Sequence, residues 1–161
     1  MNKYDARARL VFHFAREEGE KLGHTVIDPE HLLLGLLRVG GTASRVLGDV
    51  GVTLGEARRL TGLVGQAKAE GERAISLRTE RVMKRAGLEA DRLGSEHVRT
   101  EHILLAIVGE GGKTGSRILQ NLAEPDDVRR HLETALSEAA VGRSLFGRPV
   151  LKSVLATAVK V

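Results

Sequence analysis

The chain contains two copies of one sequence pattern, and this internal repeat limits the folds that it can adopt. LGHTVIDPEHLLLGLLRVGG (22–41) and LGSEHVRTEHILLAIVGEGG (93–112) align without a gap when His31 is placed opposite His102. A fixed spacing between two related segments is typical of a chain built from repeated structural units. The sequence therefore predicts two similar halves that pack against each other.

The alignment extends beyond these two segments. The same register pairs Arg7 with Arg78, and after the paired glycines one inserted residue brings SRVL (44–47) opposite SRIL (116–119). Within each copy apolar residues recur at intervals typical of helices, between cap and stop signals. We predict these helices: 4–22, 29–39, 42–50 and 53–65 in the first copy, and 76–93, 100–109, 114–122 and 125–139 in the second.

We expect an all-α fold in which two pseudo-twofold-related four-helix repeats pack as one domain, because each repeat alone is small for a stable core. The second helix of each copy is apolar nearly all round and should lie at the centre. Gly35 in that helix is a candidate for a close approach of two backbones, although it is equally well explained as an incidental small residue.

The repeat also defines the predicted domain boundaries. We assign 1–66 to the first repeat, 67–76 to a polar linker, 77–139 to the second repeat and 140–161 to a tail. In the tail, AVGRSLFGR resembles a loop, and a basic amphipathic helix is predicted from Pro149 onward. That helix either docks on its own domain or binds a partner or a second copy.

One stretch, GEGGKTGS (109–116), has the Gly-Lys-Thr of a phosphate-binding P-loop. A P-loop needs a glycine five residues before its Gly-Lys pair, and that position is Ile107. The first copy has RVGGTAS (38–44) at the corresponding place, without a lysine. We interpret the stretch as a glycine-rich connection between helices and predict no nucleotide site and no cofactor.

Composition excludes several other functions. The chain has no cysteine, which excludes disulfides and thiolate chemistry and favours a cytoplasmic location. Its 25 basic and 21 acidic residues are interleaved and only 2% of its residues are aromatic, so we predict no nucleic-acid binding. No segment reaches the roughly 18 apolar residues of a membrane span, and we predict no membrane association.

The two stretches LGHTVIDPEHLLLGLL and LGSEHVRTEHILLAIV, each inside a predicted four-helix unit, closely resemble the double Clp-N motif. This motif is the amino-terminal domain of Clp AAA+ unfoldases, and the ClpC type is the most similar. The resemblance covers about residues 4–139 and implies a non-catalytic domain that recruits substrate or adaptor proteins to an ATP-driven Clp ring. The chain has no P-loop, Walker B segment or arginine finger, so we expect no enzyme but either a domain excised from a longer unfoldase or a free-standing Clp-N protein. The start of the sequence and the extra tail favour the second.

The resemblance implies partners as well as a role. These partners are substrate proteins, adaptors and Clp ATPase or protease components, and the oligomeric state is left open. An alternative is a decoy that sequesters ligands of the Clp domain, such as cyclic peptides or adaptors, without delivering them.

The resemblance also assigns a ligand site. ClpC-type domains recognise phosphoarginine with the glutamate of each EH motif, which corresponds to Glu30 and Glu101, and we expect both carboxylates at exposed corners. A glutamate in a first helical turn is equally consistent with stabilisation of the helix dipole alone. Arg7 and Arg78 are candidate phosphate ligands or surface ion-pair partners. Tyr4 lies near an aromatic that such domains use to bind partners or cyclic peptides.

The histidine of each EH motif has a different predicted role. We expect His31 and His102 to be neutral and hydrogen-bonded to the backbone near a helix cap. A metal site could gather His24 and Asp28 with Glu30 and His31, but the second copy lacks the first two of these ligands, and no i, i+4 histidine pair is present. We predict no metal site.

Overall fold

A computed structural model describes residues 3–66 and 74–147, and all eight elements in this part of the chain are α-helices. Residues 67–73 of the linker predicted at 67–76 are undescribed, and the helix predicted from Pro149 lies outside the described residues altogether. The helices are α1 (Ala6–Lys21), α2 (Pro29–Val39), α3 (Thr42–Asp49), α4 (Leu54–Val64), α5 (Leu77–Arg92), α6 (Thr100–Thr114), α7 (Leu119–Leu122) and α8 (Pro125–Gly147).

Local sequence signals explain where these helices begin and end. The side chains of Asp5, Thr53 and Ser76 accept hydrogen bonds from backbone N–H groups in the first turns of α1, α4 and α5. Gly23 and Gly94 follow α1 and α5 at matched positions, with φ of 73° and 68°. A positive φ is easily adopted only by glycine, so both helices end where the sequence provides this residue.

The core forms around α2 and α6, which contact each other and are each covered by the first helix of their own repeat. Gly35 lies against α1 so closely that a Cβ built on it would come 2.3 Å from the backbone oxygen of Val11. The predicted close backbone approach at Gly35 is therefore confirmed. The fully buried aliphatic side chains of the two central helices include Leu32, Leu33, Leu34, Leu36, Leu104 and Ala106.

Two isolated β-bridges connect the repeats and obey the sequence repeat. The segment before α1 pairs with the segment before α6 (Tyr4 with Val98), and the segment before α5 pairs with the segment before α2 (Ile75 with Ile27). Tyr4 aligns with Ile75 in the sequence repeat, and Ile27 aligns with Val98. The segment before the first helix of each repeat thus pairs with the segment before the central helix of the other repeat. The predicted all-α, pseudo-twofold domain is confirmed.

The repeats diverge at their ends. Helix α4 stops at Val64, where Gly65 adopts a φ of 69°, whereas α8 continues to Gly147 past the corresponding Ser137. The loop predicted at 140–148 is therefore wrong as far as residue 147. The prediction missed that the second copy lacks the glycine that lets the chain leave the helix in the first copy.

The connection after the second central helix also differs from the prediction. Helix α6 extends to Thr114 instead of residue 109, but it is broken at Gly111, which has a φ of 75°. The helix predicted at 114–122 is reduced to the single turn of α7. The GEGGKTGS stretch therefore forms a broken helix end and a turn.

Candidate functional site

The starts of α2 and α6 are built alike, with a histidine closing each helix cap. His31 Nδ1 accepts the backbone N–H of Asp28 at 2.8 Å, and His102 Nδ1 accepts that of Arg99 at 2.9 Å. Burial lowers the pKa of both imidazoles below 6.5 and so favours the neutral form. The structural role predicted for the two histidines is confirmed.

The first cap carries an additional ring. His31 Nε2 lies 2.8 Å from Nδ1 of His24, and because His31 Nδ1 is already an acceptor, its proton resides on Nε2. The second copy has Ser95 in this place, whose hydroxyl donates to the carbonyl of His97 at 2.7 Å. Within residues 3–66 and 74–147, no group of three or more His, Asp or Glu side chains is arranged to hold a metal ion.

Glu30, in the first turn of α2, is fully buried and bound by two arginines of the second repeat. Arg78 Nη2 donates to Oε1 at 2.9 Å and Nη1 to Oε2 at 3.2 Å. Arg117 donates to Oε1 through its backbone N–H at 2.6 Å and through Nε at 3.0 Å. Burial alone would raise the pKa of Glu30, but these two arginines hold it below its usual value.

Both arginines also bind backbone carbonyl groups. Arg78 donates from Nε to Lys113 at 3.0 Å and from Nη2 to Gly115, while Arg117 donates from Nη2 to Gly65 at 2.9 Å. The exposed Glu30 corner that the sequence predicts is therefore absent. The carboxylate instead fastens α2 to the start of α5 and to the turn before α7.

Glu101, the counterpart of Glu30, has different surroundings. It is 8% exposed, and its one hydrogen bond among the described residues is the 3.4 Å contact from the Thr100 hydroxyl. No basic side chain in residues 3–66 or 74–147 lies within ion-pair distance of it. It lines a cavity of about 750 Å³ that also exposes Arg92 and Arg99.

The counterparts of the two arginines explain this difference. Arg7, which corresponds to Arg78, is exposed and lies beside Gly41, and it forms no ion pair with a described residue. Arg45, which corresponds to Arg117, lines a separate cavity of about 420 Å³ between α3 and α8. Neither reaches Glu101, so the two sequence-equivalent glutamates differ in their partners.

Tyr4 is buried rather than displayed on the surface. Its hydroxyl donates to the carbonyl of Met83 at 3.3 Å, and its ring packs edge-on against Phe12 with centroids 5.5 Å apart. Burial raises its pKa above 10.0. A partner that used this ring as a contact would have to move the segment before α1.

Another buried carboxylate, Glu18, was not singled out from the sequence. Arg58 binds it with Nε–Oε2 at 2.9 Å and Nη2–Oε1 at 2.7 Å, and Arg38 adds a contact at 3.3 Å. The hydrogen bonds from Arg58 lower the pKa of Glu18. The repeat aligns both partners with a Glu-Arg pair in the second copy, but Arg130 there binds Asp127 instead.

Three arginines at these sites were also not predicted from the sequence: Arg117, Arg92 and Arg99. Arg117 carries a signal, because it stands opposite Arg45 when the SRVL and SRIL segments are aligned. Arg45 and Arg117 nevertheless contact different parts of the protein, because the connection before Arg117 is one residue longer than the connection before Arg45. Arg92 and Arg99 carry no comparable signal in the sequence.

The protein has two helical repeats, and the first segment of each pairs with the other repeat. With a glutamate at the start of each central helix, this arrangement defines a Clp-type amino-terminal domain. The family model for the Clp repeat (R) N-terminal domain matches residues 3–122, and the chain belongs to this family. It is 34% identical over 81% of its length to a probable ATP-dependent Clp protease ATP-binding subunit of Chlamydia pneumoniae. It is 32% identical over 86% of its length to the chloroplastic chaperone protein ClpC of Pisum sativum, and it spans 16% of each relative.

Solved structures agree on the fold. The N-terminal domain of ClpD from Arabidopsis thaliana matches 84% of this chain and 98% of its own, with a TM-score of 0.68 and 22% identity. The N-domain of ClpV from Vibrio cholerae matches 84% of this chain and 86% of its own, with a TM-score of 0.65 and 19% identity. None of the helices in the described part of the chain is long and apolar enough to cross a bilayer.

Proposed function

We propose that this chain is a non-enzymatic protein-binding domain that recruits substrate or adaptor proteins to a Clp ATPase in the cytoplasm. Two findings support the proposal. The chain belongs to the Clp family, and the repeat explains its P-loop-like stretch as a connection between helices. The observation that carries it furthest is the cavity at the start of α6. There a buried carboxylate without a basic partner among the described residues faces a space large enough for a side chain of another protein.

We propose Glu101 as the carboxylate that receives a guanidinium, with phosphoarginine as the ligand. A carboxylate offers two acceptor oxygens to the two N–H groups of a guanidinium edge. Arg99 and Arg92, which also pairs with Glu89, line the same cavity and supply positive charge for the phosphate, and the helix start adds a favourable dipole. The chemistry of the cavity matches both ends of this ligand.

Glu30 is proposed as the weaker of the two sites. Its carboxylate already binds guanidinium groups of Arg78 and Arg117, so a ligand would have to displace an internal ion pair. This arrangement supports guanidinium as the group that an EH-motif glutamate binds. It also changes the proposed role of Arg78 from phosphate ligand to internal competitor.

Calorimetry with free phosphoarginine tests this assignment. We expect binding by the wild-type chain, loss of binding in Glu101→Gln, and retained binding in Glu30→Gln. Arginine and inorganic phosphate, titrated separately, show whether both halves of the ligand are needed. Equal binding by wild type and Glu101→Gln would remove the site from the proposal.

Recruitment itself is tested with a Clp ATPase, its protease and a marked substrate. Added chain should accelerate turnover of at least one substrate if it acts as an adaptor. A decoy, which uses the same surface, would slow that turnover in proportion to its concentration. No effect on turnover, together with no captured Clp component, would contradict the proposed function.

A further inference from the structure

In the first repeat, the turn before α2 is bound by a side chain of the same protein. The side-chain oxygen of Gln66 accepts the backbone N–H of Thr25 at 2.6 Å and that of Val26 at 3.1 Å. Gln66 reaches this turn because α4 ends at Val64 and Gly65, with a φ of 69°, redirects the chain across it. In this repeat a side chain of the protein itself therefore accepts both N–H groups of the turn.

The matching turn in the second repeat has the same donors without that acceptor. Glu96 and His97 correspond to Thr25 and Val26, and neither backbone N–H donates to an acceptor within residues 3–66 or 74–147. Glu138, at the place of Gln66, lies on the opposite side of α8 and lines the cavity against α3. Two adjacent donors are therefore presented to the solvent.

The space that Val64 to Gln66 cover in the first repeat is open in the second. It is the cavity of about 750 Å³, bounded on one side by the turn with Leu93, Glu96 and His97 and on the other by α8 with Leu136 and Ala140. Leu93 is 40% exposed here. Its counterpart Leu22 is half-buried and lies against Gly62 of α4. The cavity therefore combines an apolar wall with a pair of backbone donors.

We propose that this cleft binds a polypeptide segment of another protein through a glutamine side chain, whose carboxamide oxygen accepts the N–H groups of Glu96 and His97. The chain's own segment at 64–66 supplies the template, since an apolar residue, a glycine and a glutamine occupy the equivalent place in the first repeat. The inference rests on the proposed function in that the same cavity serves protein recruitment.

The chain's own sequence provides the probe. Acetyl-LVGQA-amide, which reproduces residues 63–67, is titrated into the full chain while backbone amide signals are followed by NMR. We expect saturable shifts centred on the amides of Glu96 and His97. The matched peptide with Gln66→Ala should bind about tenfold more weakly, because alanine removes the acceptor of both hydrogen bonds.

Two chain variants complete the test. Glu96→Pro removes one donor and should weaken peptide binding, whereas Gln66→Ala frees the N–H groups of Thr25 and Val26 and should create a second site with shifts at those amides. Equal binding of both peptides, or no saturable shift at Glu96 and His97, would overturn the inference. The phosphoarginine test depends on Glu101 instead, so failure of one ligand is distinguishable from failure of the other.

Discussion

Glu30 and Arg78 form an ion pair across the two repeats, with Nη2–Oε1 at 2.9 Å and Nη1–Oε2 at 3.2 Å. The carboxylate is fully buried, and Arg117 supplies two further donors to it. A buried charge that loses its partner keeps its desolvation cost without compensation. The glutamate that the family resemblance assigns to a ligand therefore has a structural role in the first repeat.

Glu30→Ala should destabilise the fold strongly. It leaves Arg117 without a carboxylate and Arg78 with Asp28, 3.7 Å away, as its remaining carboxylate, and removing one partner of a buried pair costs about 3–5 kcal/mol. Glu101→Ala is the matched control, because the equivalent glutamate has no basic partner among the described residues, and its cost should stay below about 1 kcal/mol. Urea unfolding of both variants measures the free energies. Equal losses would contradict the asymmetry between the two sites.

Stability should also depend on the charge of Glu30. The arginines hold its folded-state pKa below the usual 4.5, so its contribution is complete above that value and is lost as the pH falls through the folded pKa. The stability difference between wild type and Glu30→Gln should therefore shrink between pH 7 and pH 4. Urea unfolding at both pH values is the measurement. A constant difference would show that the ion pair does not depend on this charge.

The fold could be predicted from the sequence more completely than the site. The alignment of the two copies predicts equivalent helices, and the bridges at Tyr4–Val98 and Ile27–Ile75 obey it. The alignment cannot predict which side chains meet across the repeats, because Arg117 and Arg45 occupy matched positions on connections of different length. The sequence does contain the difference between Gly65 and Ser137, and this difference accounts for the longer α8.

The cap histidine should make stability sensitive to mildly acidic pH. Burial lowers the folded-state pKa of His31 below 6.5, so its contribution is complete above about 6.5 and is lost as the pH falls from there through the folded pKa. His31→Gln keeps an acceptor in the same capping position without a titrating ring. Between pH 7.5 and 5.5, the melting temperature should therefore fall less in His31→Gln than in wild type.

His31→Leu serves as the control for this prediction. Leucine has a similar size but leaves the buried N–H of Asp28 without its acceptor, at a cost of about 1–3 kcal/mol at every pH. Thermal unfolding by circular dichroism measures both variants. Parallel pH profiles of wild type and His31→Gln would show that this ring does not titrate with unfolding.

The contact between α1 and α2 should not tolerate an added methyl group. In Gly35→Ala the new Cβ would meet the oxygen of Val11 at 2.3 Å, and such overpacking costs about 1–3 kcal/mol. Gly87 in α5 has open space where a Cβ would stand, so Gly87→Ala should instead stabilise by about 0.5–1 kcal/mol. Chemical unfolding of the two variants should give changes of opposite sign.

The two repeats share a fold, and of their two EH-motif glutamates only Glu101 is free of basic partners among the described residues. Crystals of the full chain grown with phosphoarginine test this asymmetry most directly. We expect ligand density at Glu101, in the cavity with Arg92 and Arg99, and an unchanged Glu30 held by Arg78 and Arg117. Density at Glu30 with those arginines displaced, or density at neither glutamate, would contradict it.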